Sequence, residues 1–126
     1  MGIQQTIFMI DKLMLRGQEA IVTDDMILHT KIDEPFFTAG KQLGWTDCHS
    51  TAGIGLNEDL IQYALRNGYD ILIKVGENKK RYIANPHEIN RFCRANNSYW
   101  KTKTTRICVF PRSMTIPVAW NDENND

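Results

Sequence analysis

Between Asn96 and Arg106 the chain packs two amides, a serine, Tyr99, Trp100, three threonines and three cations into one short run. Each type has a use against nucleic acid: cations neutralise phosphates, exposed rings stack on unpaired bases, and small polar groups bond the backbone. The mixture extends through the second half of the chain, where Tyr69, Tyr82, Phe92 and Phe110 interleave with further basic residues. Lys79, Lys80, Arg81, Arg91, Arg94, Tyr99, Trp100, Lys101, Lys103 and Arg106 form the candidate nucleic-acid interface, on condition that they share one surface. If Tyr99 and Trp100 belong to the core instead, the same lysines and arginines line a solvated face.

Charge supports the division. The chain is neutral overall, yet residues 1–60 carry four basic and nine acidic side chains, and residues 74–112 carry ten basic and two acidic. Halves of opposite sign imply a polar partner surface or an acidic region that shields a basic one.

Other groups with chemical capacity have weaker spacing. Asp70, Glu77 and Lys79, with Glu58 before them, resemble the order of acids and lysine in the PD-(D/E)XK nucleases. The resemblance implies acids that hold Mg²⁺ and a lysine that positions the attacking water. A solvated hairpin tip accounts for the same residues, because Glu77 and Lys79 fall in a predicted turn close to Asp70. Gly53 and Gly55 before a helix resemble part of a phosphate loop, but Glu58 and Asp59 at the helix start repel an anion. A winged-helix arrangement, with residues 57–67 as recognition helix and 76–80 as wing, meets the same acidic obstacle. Asp47, Cys48 and His49, with His29, His87, Cys93 and Cys108, lack the spacing that organises a zinc site or a thiol–imidazole pair. No cofactor or metal is expected.

At 126 residues, with 42% hydrophobic and 24% charged side chains, the chain suits one folded domain. Three widely separated cysteines read as reduced thiols, and no apolar run approaches the roughly 20 residues of a membrane span. A cytoplasmic location without membrane association is therefore expected. Gly2 and Thr6 satisfy a loose acylation pattern, and Asn96 to Ser98 a glycosylation acceptor, each without the context that gives it meaning.

The elements that must position these residues are clearest after Asn57. There an N-capping asparagine, acids in the first turn and a stop at Gly68 predict a helix with Leu60, Ile61, Ala64 and Leu65 inward. Tyr69, Ile71, Ile73 and Val75 alternate as a strand, which residues 76–79 turn into a returning strand at 81–84. Asn85, Pro86 and Glu88 open a second helix with Ile89, Phe92 and Cys93 buried, and residues 104–110 form a strand that Pro111 stops. Earlier, residues 6–15 are helix or buried strand, 20–23 and 26–29 are a possible hairpin, 36–43 suggest a short helix, and 44–55 read as a loop. The sum is an α+β domain over residues 1–120, with a mostly antiparallel sheet of about five strands, two to three helices, and an acidic disordered tail at 121–126. Three functions remain open: a nucleic-acid-binding accessory protein engaging DNA or RNA, a protein-interaction module or homodimer, and a metal-dependent nuclease.

Overall fold

The computed structural model describes residues 9–33, 36–37, 43–45, 52–76 and 80–119. The expected tail, Lys79, Glu77, Cys48 and His49 lie outside these. Alternating side chains build β1 (Met9–Leu15), β2 (Gln18–Thr23) and β3 (Ile27–Ile32), which pair as successive antiparallel hairpins. Met26, at φ 66°, closes the second of them, its N–H donating to the Thr23 carbonyl.

Two short strands follow, β4 (Phe36–Phe37) and β5 (Ala52–Asn57). Both correct the sequence expectation, which took the first for the start of a helix and the second for the end of a loop. Gly53 and Gly55 erase the alternation that marks a strand, yet β5 lies between β4 and β9 (Arg106–Pro111) and all but one of its residues are buried.

Helix α1 (Glu58–Asn67) begins where the Asn57 side chain accepts from the Asp59 N–H at 2.8 Å and ends at Gly68, whose φ of 72° is left-handed. β6 (Asp70–Val75) and β7 (Lys80–Ala84) form the expected hairpin. Asn85 then caps α2 (Pro86–Asn96) by accepting from the His87 N–H. A brief strand β8 (Tyr99–Lys101) turns back into β9, and after a 3-10 turn (Arg112–Met114) β10 (Ile116–Val118) adds to β7.

The expected single sheet of about five strands is thus two sheets. Among the described residues one has six strands in the order β1-β2-β3-β6-β7-β10, the other four in the order β4-β5-β9-β8. The larger is mixed, because β3 and β6 run parallel while their connection passes through the smaller sheet and α1. On one face of the larger sheet, register aligns Ala20, Thr30, Ile73 and Tyr82 in one row and Val22, Leu28, Ile71 and Ala84 in the next. These join Ile54, Leu56, Cys108 and Phe110 of the smaller sheet, with Leu60, Ile61, Ala64, Ile89 and Cys93 from the helices, in one buried core. No described helix is long and apolar enough to cross a membrane.

Candidate functional site

The opposite face of the larger sheet is polar at one end, and its geometry follows from strand register. Partners in adjacent strands point to the same side. Lys31 of β3 is the direct partner of Lys74 of β6, and Lys74 is the direct partner of Arg81 of β7. Three cations therefore stand abreast, on strands about 4.8 Å apart. The next row on this face is Ile21, His29, Leu72 and Ile83. His29 is held from below by Thr23, whose hydroxyl lies 3.4 Å from Nε2 while also bonding Asp25.

Apart from Ile83, the two rows line a cleft of about 830 Å³ that reaches Gly55, Asn57 and Ile107 of the smaller sheet. Lys31 is exposed, Lys74 half-buried, and Arg81 only 5% exposed, so the cations step down into the structure. Among the described residues no carboxylate lies within ion-pair distance of Lys31 or Lys74. Glu19 and Asp33 also line the cleft, and Glu19 is held at 2.8 Å by Lys12, an ammonium whose pKa that hydrogen bond raises.

One wall is set by the β1–β2 turn. Arg16 and Gly17 both have positive φ, the conformation of a two-residue turn whose twist matches its strands. Arg16 is an uncommon residue there, and its surroundings hold it. Its guanidinium pairs with Asp59 at 2.9 Å and donates to the Thr104 carbonyl, and its own carbonyl accepts from Asn57 Nδ2. Arg16 lines both the cleft and a shallower groove of about 430 Å³ formed with Glu58, Asp59, Lys101, Thr102, Thr104, Thr105 and Arg106. The two depressions therefore meet at this side chain.

The expected interface divides among several places. Lys101 and Arg106 are cross-strand partners in the β8–β9 hairpin, and Lys103 is exposed in its turn. Arg106 grips Glu58 with two hydrogen bonds, at 3.0 and 2.6 Å, and its guanidinium lies 3.9 Å above the Tyr99 ring. The carboxylate holds the guanidinium pKa up, and partial burial raises that of the Tyr99 hydroxyl. Tyr99 and Trp100 are half-buried. Arg91 and Arg94 are exposed together on α2, three residues apart on its surface. Lys80 is exposed and points away from its neighbour Arg81, which alone of the nine described candidates enters the cleft.

Sequence reasoning missed Arg16, Lys31 and Lys74, and weighed His29 for metal or thiol chemistry alone. Lys31 lies in the acidic half, and nothing local announces that a strand from that half pairs in parallel with β6.

Elsewhere, Cys93 and Cys108 are free and buried, and a hydrogen bond to Cys93, then burial, pushes the Cys108 thiol far up, which keeps it protonated and inert as a nucleophile. For the nuclease arrangement, Asp70 is exposed at the start of β6 and Glu58 is engaged by Arg106. No three His, Cys, Asp or Glu side chains converge on a common point among the described residues. Compared with models of protein families, with curated proteins and with solved structures, the chain matches none, and the character of the site rests on its own geometry.

Proposed function

We propose that the chain is a nucleic-acid-binding accessory protein, in which a sugar–phosphate backbone follows a track from the cleft, over Arg16, to the β8–β9 turn. The observation that carries this reading is the row Lys31, Lys74 and Arg81. Like charges directly opposite one another in a sheet oppose folding, and an anion between them reverses the sign of that contribution. A phosphate backbone supplies such anions in series. Lys101, Lys103 and the hydroxyls of Thr102 and Thr104 continue the track at the exposed turn. Arg106 and Tyr99 serve it as a brace, since each already engages the other.

The test is fluorescence anisotropy with labelled single- and double-stranded DNA and RNA at two or more salt concentrations. Neutralising three phosphates of a single strand gives a log–log salt slope of about −2. Charge reversal at Lys31 or Lys74 flattens that slope. Affinity indifferent to salt, or none for any of the four ligands, overturns the reading.

One observation favours a second reading, a protein-interaction module or homodimer. Met14 on β1 and Ile116 on β10 are 67% and 65% exposed, and each lies on an outermost strand of the larger sheet among the described residues. Outer strands present unpaired backbone groups to another chain. Sedimentation showing a salt-sensitive dimer, together with no affinity for nucleic acid, decides for this alternative.

A further inference from the structure

Within the nucleic-acid reading, on which this step rests, the cleft has features that a continuous strand does not explain. The cations descend from exposed Lys31 through half-buried Lys74 to Arg81 at 5% exposure. A phosphodiester in mid-strand must leave the site on both sides, so it stays near the rim and cannot reach the deepest guanidinium. A phosphomonoester leaves on one side only. It also carries nearly two charges near neutral pH where the diester carries one, and so is drawn more strongly to a row of cations. Two strand spacings, about 10 Å, separate the outer cations at the backbone, and long lysine and arginine side chains converge across that distance on a single phosphate.

The adjoining row fits what is attached to that phosphate. Ile21, His29 and Leu72 line the same cleft one side-chain row along the strands, roughly 7 Å from the cations. They offer an apolar floor and an imidazole face of the kind on which bases stack. The cleft volume of about 830 Å³ falls within the range of sites that enclose small ligands, ample for one nucleotide. Of the acids at its edge, Glu19 is engaged by Lys12 and Asp33 is exposed two residues beyond Lys31.

We infer that the cleft seats the phosphorylated end of a nucleic-acid strand, with its terminal phosphate on Lys31, Lys74 and Arg81 and its end nucleotide against Ile21, His29 and Leu72. The test uses the full chain and short single strands of one sequence that carry a 5′-phosphate, a 3′-phosphate or hydroxyls at both ends. A phosphorylated strand is expected to bind about tenfold more tightly than the hydroxyl strand, the scale of one added set of charge-assisted hydrogen bonds. A nucleoside monophosphate at millimolar concentration removes that advantage. Lys74→Met brings the phosphorylated strand down to the hydroxyl level, whereas Lys101→Ala weakens both strands alike. Lys31→Met, at an exposed position, serves the same purpose if Lys74→Met does not fold. Equal affinity for the three strands overturns the inference and leaves the nucleic-acid reading standing; no binding by any of them overturns both. A phosphate advantage that survives in both lysine variants overturns the assignment to this cleft.

Discussion

Two groups of cations lie on either side of Arg16 and are built on opposite plans. At the β8–β9 hairpin each buried or half-buried charge meets its complement: Arg106 holds Glu58 and covers Tyr99, and Arg16 holds Asp59. Across β3, β6 and β7, Lys74 has a cation as its cross-strand partner on either side. The first arrangement lowers the free energy of the empty protein, while the second raises it and is relieved by an anion. Density of basic residues along the chain therefore selects the hairpin and passes over the row. The hairpin is rich in them and spends part of its charge internally, whereas the cleft draws its cations from distant segments.

The comparison depends on both groups being held rigidly, and the largest expected effects come from loosening them. Gly76 ends β6 beside the cation row, with φ at 63° and its N–H donating to the Ile32 carbonyl at 2.9 Å. A Cβ built there meets the Asp33 backbone oxygen at 2.9 Å. Gly76→Ala combines an unfavourable backbone conformation with a clash that no flexible side chain can absorb, and is expected to lower stability by about 2–3 kcal/mol in chemical denaturation. A loss below about 0.5 kcal/mol, the scale of ordinary surface substitutions, means the two strand ends are not locked together.

On the hairpin side the corresponding anchor is Ser98. Fully buried, it donates to the Val109 carbonyl at 2.6 Å and accepts from Trp45 Nε1 at 2.6 Å. Ser98→Ala removes both bonds, with an expected cost of about 2 kcal/mol. Thermal melts monitored by tryptophan fluorescence also report whether Trp45 keeps its place against Phe92, whose ring it meets edge-on at 5.4 Å.

A smaller effect measures the charge complement itself. Glu58 and Arg106 are part-exposed, so a double-mutant cycle with Glu58→Gln and Arg106→Gln is expected to give a coupling of about 1 kcal/mol that shrinks with salt. A coupling near zero would place the hairpin on the same plan as the cleft and dissolve the contrast.

Legibility in the sequence follows the range of the interaction that decides each element. The helix from Glu58 is announced locally, because Asn57, the two first-turn acids and Gly68 act within a few residues of one another. The same is true of α2 and of the β6–β7 hairpin. Strand β5 is decided by its neighbours, since glycines at 53 and 55 give no pattern of their own. The cation row is further from view, because the partnership of Lys31 with Lys74 exists only through a parallel pairing across a long connection. Arg81 could be named from its basic surroundings, but its alternation away from Lys80 and into the cleft needed the strand's register. Tyr99 and Arg106 stand in one polar, aromatic run of sequence; that they face each other, with Glu58 beyond, is a cross-strand fact.

The smallest expected change has an unusual sign. Lys74 stands between Lys31 and Arg81, half-buried, in a sheet position where a straight apolar chain of similar length is accommodated. Lys74→Met removes two like-charge contacts and no ion pair among the described residues, so it is expected to stabilise the protein by a few tenths of a kcal/mol, up to about 1. The gain is largest at low ionic strength and fades as salt screens the row. Added phosphate separates this from a simple packing effect: an anion that binds only the folded state raises the melting temperature of the native chain, and that increment shrinks in the variant. If Lys74→Met instead destabilises the protein in phosphate-free, low-salt buffer, the three cations are already compensated within the fold, and the cleft and the hairpin are built alike.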